Sequence, residues 1–292
     1  MKDYKNALEV NNITKNYKGF SLDNVTFNLK KGFIMGLVGP NGAGKTTTIK
    51  AIMNLINLNS GSIKIFEEDL KKNEIEIKDR IGFVYDECSS FEDFSIEYNK
   101  KIIAPFYSKW NENKFNEYLK IFKLDKKKKV KDLSKGQKMR FSLAIALSHE
   151  AELLILDEPT SGLDPVFRSE LLDLFFDLIK DGELSILYST HITTDLEKLA
   201  DYITFIKDGK VEFSKEKDIL LEEYSIIKGS VDDITEEIRK ELIGERISRY
   251  NFEALIKNKN DFIKKYGSNF VFERASIDDI IVFYSKKGKV LI

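Results

Sequence analysis

The sequence predicts an α/β fold: a mainly parallel sheet with a helical subdomain and a small α+β appendage at the C-terminal end. Three observations carry this. Short continuous apolar runs at residues 33–38, 153–156 and 185–189 have the length and composition of parallel strands buried on both faces. Helical patterns lie between them, which is the alternation of a parallel α/β sheet. Beyond residue 222 the texture changes to short strands and charged helices, placing one domain at 1–222 and an accessory domain at 223–292.

Taken in order, Leu8-Glu9-Val10 and residues 21–29 alternate like strands, with Val25, Phe27 and Leu29 on one face. The buried run 33–38 leads through a Gly-rich turn into a helix expected over 46–58. Another strand is expected at 81–85, and residues 90–150 read as largely helical. Helices are expected at 166–180 and 194–199, and Asp208-Gly209-Lys210 as a hairpin turn. In the appendage the patterns predict a strand at 224–227, a helix over 232–244, a strand over 247–256, and helices at 261–266 and 276–284.

With 42% hydrophobic residues the 292-residue chain can bury a full core. Lys and Arg number 47 against 48 Asp and Glu, a balance that disfavours nucleic acid as the main partner. The single cysteine, Cys88, leaves no internal disulfide and fits a reducing compartment. The polar start shows no signal peptide, and no apolar run approaches the ~20 residues needed to cross a bilayer.

Gly39-Pro40-Asn41-Gly42-Ala43-Gly44-Lys45-Thr46 fits the pattern G-x-x-x-x-G-K-[ST] between a buried strand and a helix. Such a loop turns successive backbone N–H groups onto phosphates, with the helix N-terminus behind them. Lys45 is placed to reach the β- and γ-phosphates of ATP, and the Thr46 hydroxyl to ligate Mg²⁺. Thr47 follows as part of the same cradle. The apolar run 153–156 ends in Asp157-Glu158, where ligands of α/β sheets bind. Asp157 is a candidate Mg²⁺ ligand and Glu158 a candidate general base.

Here the sequence resembles the ABC ATPases, over about its first 215 residues. Leu133-Ser134-Lys135-Gly136-Gln137 is similar to the signature usually written LSGGQ, and Ser161-Gly162-Leu163-Asp164 to the D-loop. His191 matches the switch histidine, and Tyr17 the aromatic that stacks on adenine. The resemblance implies an ATPase working as a dimer of ATP-binding subunits, homomeric or heteromeric, that sandwiches two ATP molecules. Each ATP then lies between the P-loop of one subunit and Ser134, Gly136 and Gln137 of the other. His191 senses the γ-phosphate. His149 matches no motif and reads as a surface or helix residue.

Two positions depart from the family pattern. Lys135 replaces a glycine, and Asp86, beside Glu87, stands where the Q-loop glutamine is usual; Asp86 remains a candidate Mg²⁺ ligand. Both variants are similar to those of bacterial ABC exporters of the antimicrobial-peptide and acetoin type. The resemblance also implies a separate transmembrane subunit, coupled through residues 89–107, and a cytoplasmic position at the inner face of the membrane. Phe91 and Phe94 are candidates for that coupling groove, and the segment reads equally well as helical-subdomain core. The alternative is an ABC ATPase of a regulatory or immunity complex without transport. Translation, repair and chromosome types fit poorly: one cassette is present, and Lys45 and Ser134 stand too close for an inserted coiled coil.

Overall fold

The computed structural model of the chain describes residues 5–85 and 90–285. An antiparallel hairpin, β1 (Asn6–Tyr17) and β2 (Phe20–Lys30), buries Val25, Phe27 and Leu29 on one face. Strand β3 (Ile34–Val38) is buried at every position and leads through the Gly-rich loop into helix α1 (Lys45–Ile52). This helix is shorter than expected, because the chain turns at Asn54, whose φ is 52°; Asn54 then donates to Glu74 Oε2 at 2.7 Å. Strands β4 (Ser60–Ile65) and β5 (Glu68–Asp69) complete a first sheet of order β2-β1-β4-β5.

Helix α2 (Glu74–Lys78) and strand β6 (Ile81–Val84) come before the helical region α3 (Ile96–Ile103), α4 (Glu112–Ile121) and α5 (Lys135–Ala146). Next come β7 (Leu153–Asp157), α6 (Pro165–Leu178), β8 (Ser185–Thr190), α7 (Thr193–Leu199), β9 (Tyr202–Lys207) and β10 (Lys210–Glu216). The second sheet has order β10-β9-β3-β8-β7-β6 and is parallel except for the β9–β10 hairpin. Strand alternation explains the unbroken apolar runs. Leu154 and Leu156 enter the core on one face, and Leu153 and Ile155 the core on the other.

After α8 (Lys217–Glu223) the third sheet begins with β11 (Tyr224–Ser230). Helix α9 (Glu236–Arg239), β12 (Gly244–Ile247), β13 (Asn251–Lys257), α10 (Lys259–Tyr266), β14 (Val271–Arg274) and α11 (Ile277–Ser285) follow. The sheet is antiparallel, of order β12-β13-β11-β14. The helix expected over 232–244 is reduced to one turn capped by Thr235, and its end becomes β12. A Cβ on Gly244 would lie 2.9 Å from the Phe283 carbonyl oxygen, so the close approach of α11 selects glycine and strand there. The strand expected over 247–256 is a hairpin that turns at 248–250. Strand β14 was not expected.

One face of this third sheet forms its own core around Phe252, Phe262 and Phe270. Its other face, with Tyr224, Ile226 and Leu255, joins Ile277, Ile280 and Phe283 of α11 in one cluster with Leu196, Phe205 and Phe213. Each such side chain contributes about 1.5–3 kcal/mol when fully buried, so α11 is fixed between the third sheet and the second.

His149, expected on the surface or a helix, is fully buried just beyond α5. Its ring stacks on Tyr107 with centroids 3.8 Å apart, and neither ring nitrogen has a hydrogen-bonding partner among the described residues. Burial pushes the imidazole down to about 4. The unfolded chain takes up a proton below pH 6.5 that the folded chain refuses until about pH 4. Stability is therefore full above pH 6.5 and falls between those limits. His149→Phe keeps the stack without the buried nitrogens. In urea unfolding at pH 7 and pH 5, the wild type is expected to lose about 2 kcal/mol more than this variant. Equal losses would show that His149 is not held neutral.

Candidate active site

The site is built where three parallel strands end. Between β3 and α1 the backbone reverses through Gly44 at φ 112°, a conformation open to glycine. Gly39 admits no side chain, because a Cβ would come 2.2 Å from the Ile206 carbonyl oxygen. Ala43 is buried and accepts from the Gly209 N–H at 3.0 Å, which ties the loop to the β9–β10 turn. The first N–H groups of α1 have no acceptor within the helix, as at any helix start, and they open on the cavity. Lys45 folds back over the loop and donates to Gly39 O at 2.8 Å and Pro40 O at 3.5 Å.

The carboxylates come from the next strand but one. Asp157, at the end of β7, is 2% exposed. The Thr46 hydroxyl donates to its Oδ2 at 3.0 Å, and the Ser189 hydroxyl, from the end of β8, to its Oδ1 at 2.5 Å. Burial, with the charge of neighbouring Glu158, holds the Asp157 carboxyl above the usual range, against the lowering pull of both hydroxyls. Glu158 has φ 51°, an unfavourable value for a side-chain-bearing residue that persists where surroundings enforce it. Its amide donates to Ser189 Oγ at 3.1 Å, so one serine fixes both acids. The Glu158 carboxylate lies 3.2 Å from Lys45 Nζ through Oε1 and 2.7 Å from His191 Nδ1 through Oε2.

A cavity of about 700 Å³ opens here, with Asn41, Gly42, Ala43, Gly44, Lys45, Thr46 and Thr47 on one side and Glu158, Ser161 and His191 on the other; Asp157 and Ser189 are buried behind it. Gly19 and Phe20 close its edge. Tyr17 is not among the lining residues; it lies half-exposed at the end of β1 with Lys15 Nζ 5.3 Å from its ring centre. Of the residues near this edge the sequence singles out Tyr17, and it does not mark Phe20 or Ser189. The signal for Ser189 was a polar side chain closing an apolar strand beside the acids.

Ser134, Gly136 and Gln137 do not line this cavity. Ser134 starts α5 with a capping box: its Oγ accepts from the Gln137 amide at 3.2 Å, and Gln137 Oε1 accepts from the Ser134 amide at 3.1 Å. Gln137 Oε1 also accepts from Lys128 Nζ at 3.3 Å, so this side chain organises the helix start. The Lys135 side chain lies over Gly162, where a Cβ would be 3.5 Å from its Nζ. Asp164 caps α6 by accepting from the Phe167 amide at 3.0 Å, ahead of Pro165. Asp86, Glu87 and Cys88 lie outside the described residues.

Comparison with known proteins gives a consistent picture. Residues 22–161 match the family described as ABC transporter. The bacitracin transport ATP-binding protein of Bacillus licheniformis is 39% identical over 207 residues, 70% of this chain and 68% of that protein. The lantibiotic transport ATP-binding protein SrtF of Streptococcus pyogenes is 36% identical over 214 residues, 72% of this chain and 91% of that protein. Among solved structures, an ATP-binding subunit of an ABC transporter superposes with TM-score 0.68 at 28% identity, covering 74% of this chain and 92% of that one. The cassette MJ0796, dimeric in a post-hydrolysis state bound to ADP and Pi, superposes with TM-score 0.64 at 25% identity, covering 72% and 98%. The chain therefore belongs to the ATP-binding, ATP-hydrolysing subunits of ABC transporters.

Proposed function

We propose that two such ATP-binding subunits close around two ATP molecules and drive a separate membrane subunit in export, as the motor of an antimicrobial-peptide-type exporter. The observation that carries this reading is the division of the site. Lys45, Thr46, Glu158 and His191 line one cavity, with Asp157 buried behind the Thr46 hydroxyl, while Ser134 and Gly136 stand at the start of α5 and line none of it. A helix start presenting N–H groups and a serine away from its own P-loop suits the γ-phosphate of a neighbouring subunit. The names of the bacitracin and lantibiotic relatives support the peptide class and, with it, export.

In this reading the loop N–H groups and Lys45 bind and orient the phosphates. Glu158 receives the proton of the attacking water, and His191, bonded to the other carboxylate oxygen, keeps that acid aimed. The hydroxyl and carboxylate of Thr46 and Asp157 are hard oxygen donors suited to Mg²⁺, which when bound neutralises charge on the phosphates. Tyr17 pairs with Phe20 across the β1–β2 turn, and Phe20 lines the cavity, so an adenine ring reaching past Phe20 can stack on Tyr17.

Among the described residues no helix is long and apolar enough to cross a membrane, so coupling passes through a surface. Phe91 (54% exposed), Phe94 (43%) and Tyr98 (49%) form it, with Phe94 and Tyr98 ring centres 4.5 Å apart. Buried Asn99 braces this strip by accepting from the Phe91 amide at 2.8 Å and donating to the Phe91 carbonyl at 3.0 Å. Ile96 instead faces the core. In this reading the chain works at the inner face of the membrane, held there by its membrane partner, and nucleic acid is not a partner.

Glu158→Gln is expected to bind ATP, lose turnover and accumulate as an ATP-trapped dimer in size-exclusion chromatography; rapid hydrolysis by this variant would remove Glu158 as the base. Ser189→Ala removes bonds to a buried carboxylate and to the Glu158 amide, and kcat is expected to fall roughly 10- to 100-fold with the fold intact. Unchanged kcat would show that Ser189 does not set the acids. Phe91→Asp with Phe94→Asp is expected to leave basal ATPase unchanged while abolishing co-purification with the membrane partner. Retained assembly would refute the docking surface.

A further inference from the structure

Helix α7 begins two residues after His191 and is held from both sides. On its inner side Asp195, buried to 1% exposure, accepts from Tyr188 Oη at 2.7 Å, Thr160 Oγ1 at 2.8 Å and Arg168 Nε at 2.7 Å. Thr160 follows Glu158 across Pro159, so this cluster ties α7 to the turn that carries the acid. On its outer side, α7 meets α11 of the C-terminal unit. Thr193 Oγ1 donates to Asp278 Oδ1 at 2.9 Å, and Glu197 Oε1 accepts from the Ile277 amide at 3.3 Å. Leu196 and Leu199 share one buried cluster with Ile277, Ile280 and Phe283.

The need for an outer hold follows from the helix itself. α7 has seven residues and no side-chain cap at its start, where Ile192 occupies the capping position. So short a helix has little stability of its own, and its direction depends on tertiary contacts. Only His191 and Ile192 separate it from the end of β8, so a displacement of its first turn is passed to the histidine without slack. His191 is half-exposed, and its bond to Glu158 Oε2 would not survive a shift of an ångström or so.

We propose that the C-terminal unit braces the catalytic centre: Asp278 of α11, by accepting from Thr193, holds the first turn of α7 so that His191 stays in reach of Glu158. Asp278 is a positioning residue, outside the nucleotide cavity. This rests on the reading above in which His191 and Glu158 act together in hydrolysis. Lys45 and Thr46, which bind the phosphates, are untouched by the brace, so the inference concerns turnover and not ATP affinity.

Steady-state ATPase of the full chain tests it. Asp278→Ala is expected to lower kcat roughly three- to tenfold with KM for ATP unchanged. Asp278→Asn, which retains a carbonyl acceptor for the Thr193 hydroxyl, is expected to restore most of it. Thr193→Val, an independent variant on the other helix, is expected to match Asp278→Ala, and the double variant to fall no further. Turnover within twofold of wild type in Thr193→Val, additive losses, a change in KM alone, or equal loss in Asp278→Asn would each overturn the brace. His191→Ala separates the two levels. If it hydrolyses ATP normally, the role of His191 fails and the brace with it; if it is inactive while Thr193→Val is not impaired, the brace alone fails.

Discussion

The site depends first on a buried carboxylate. Asp157 is withdrawn from water at the end of β7, which would cost several kcal/mol if it stood unpaired. It is tolerated because Thr46 and Ser189 each donate a hydroxyl to it, from the segments that follow β3 and close β8. The strand order β3-β8-β7 brings these three ends side by side. The same contacts place Lys45 against Glu158 and hold Glu158 in a backbone conformation it would not adopt alone. Loop, acids and histidine are therefore linked through the ends of β3, β7 and β8.

What could be read along the chain was what the chain states locally. The phosphate loop is contiguous, so its pattern, its preceding buried strand and its following helix all lie within one window. The buried strands announce themselves because parallel strands are apolar on both faces. Ser189 and Asp195 carry no such mark. Their partners are distant in sequence, and only the parallel register makes a serine on β8 the neighbour of an acid on β7. Tyr17 fitted a family position, but the packing of Phe20 beside Gly44 at the cavity edge is a property of the hairpin turn.

The C-terminal unit was least legible for a related reason. Ile234, Ile238 and Leu242 have helical spacing, yet tertiary packing overrides it. Gly244 must pass close to Phe283, and the following residues pair with β13. Val271 to Arg274 are short and mostly exposed, and they become a strand only because β11 offers a free edge. The unit is joined to the ATPase by shared core, not by a tether. Lys207 Nζ donates to the Tyr284 carbonyl at 3.1 Å, and Phe205 and Phe213 pack on the Tyr284 ring. Such packing transmits displacement, which is why the unit bears on catalysis.

In the proposed dimer the cavity is half of a site whose other half, Ser134 and Gly136, belongs to a second subunit. Mixing two inactive variants measures this directly. Lys45→Ala destroys the phosphate loop. Gly136→Asp sets a negative charge at the signature, where a Cβ meets only ordinary contacts with Phe167 and Leu163. Half of the dimers formed at random are mixed, and each holds one intact site of two, so the mixture is predicted to recover roughly a quarter of wild-type ATPase. A mixture as inactive as its components would contradict a site shared between subunits.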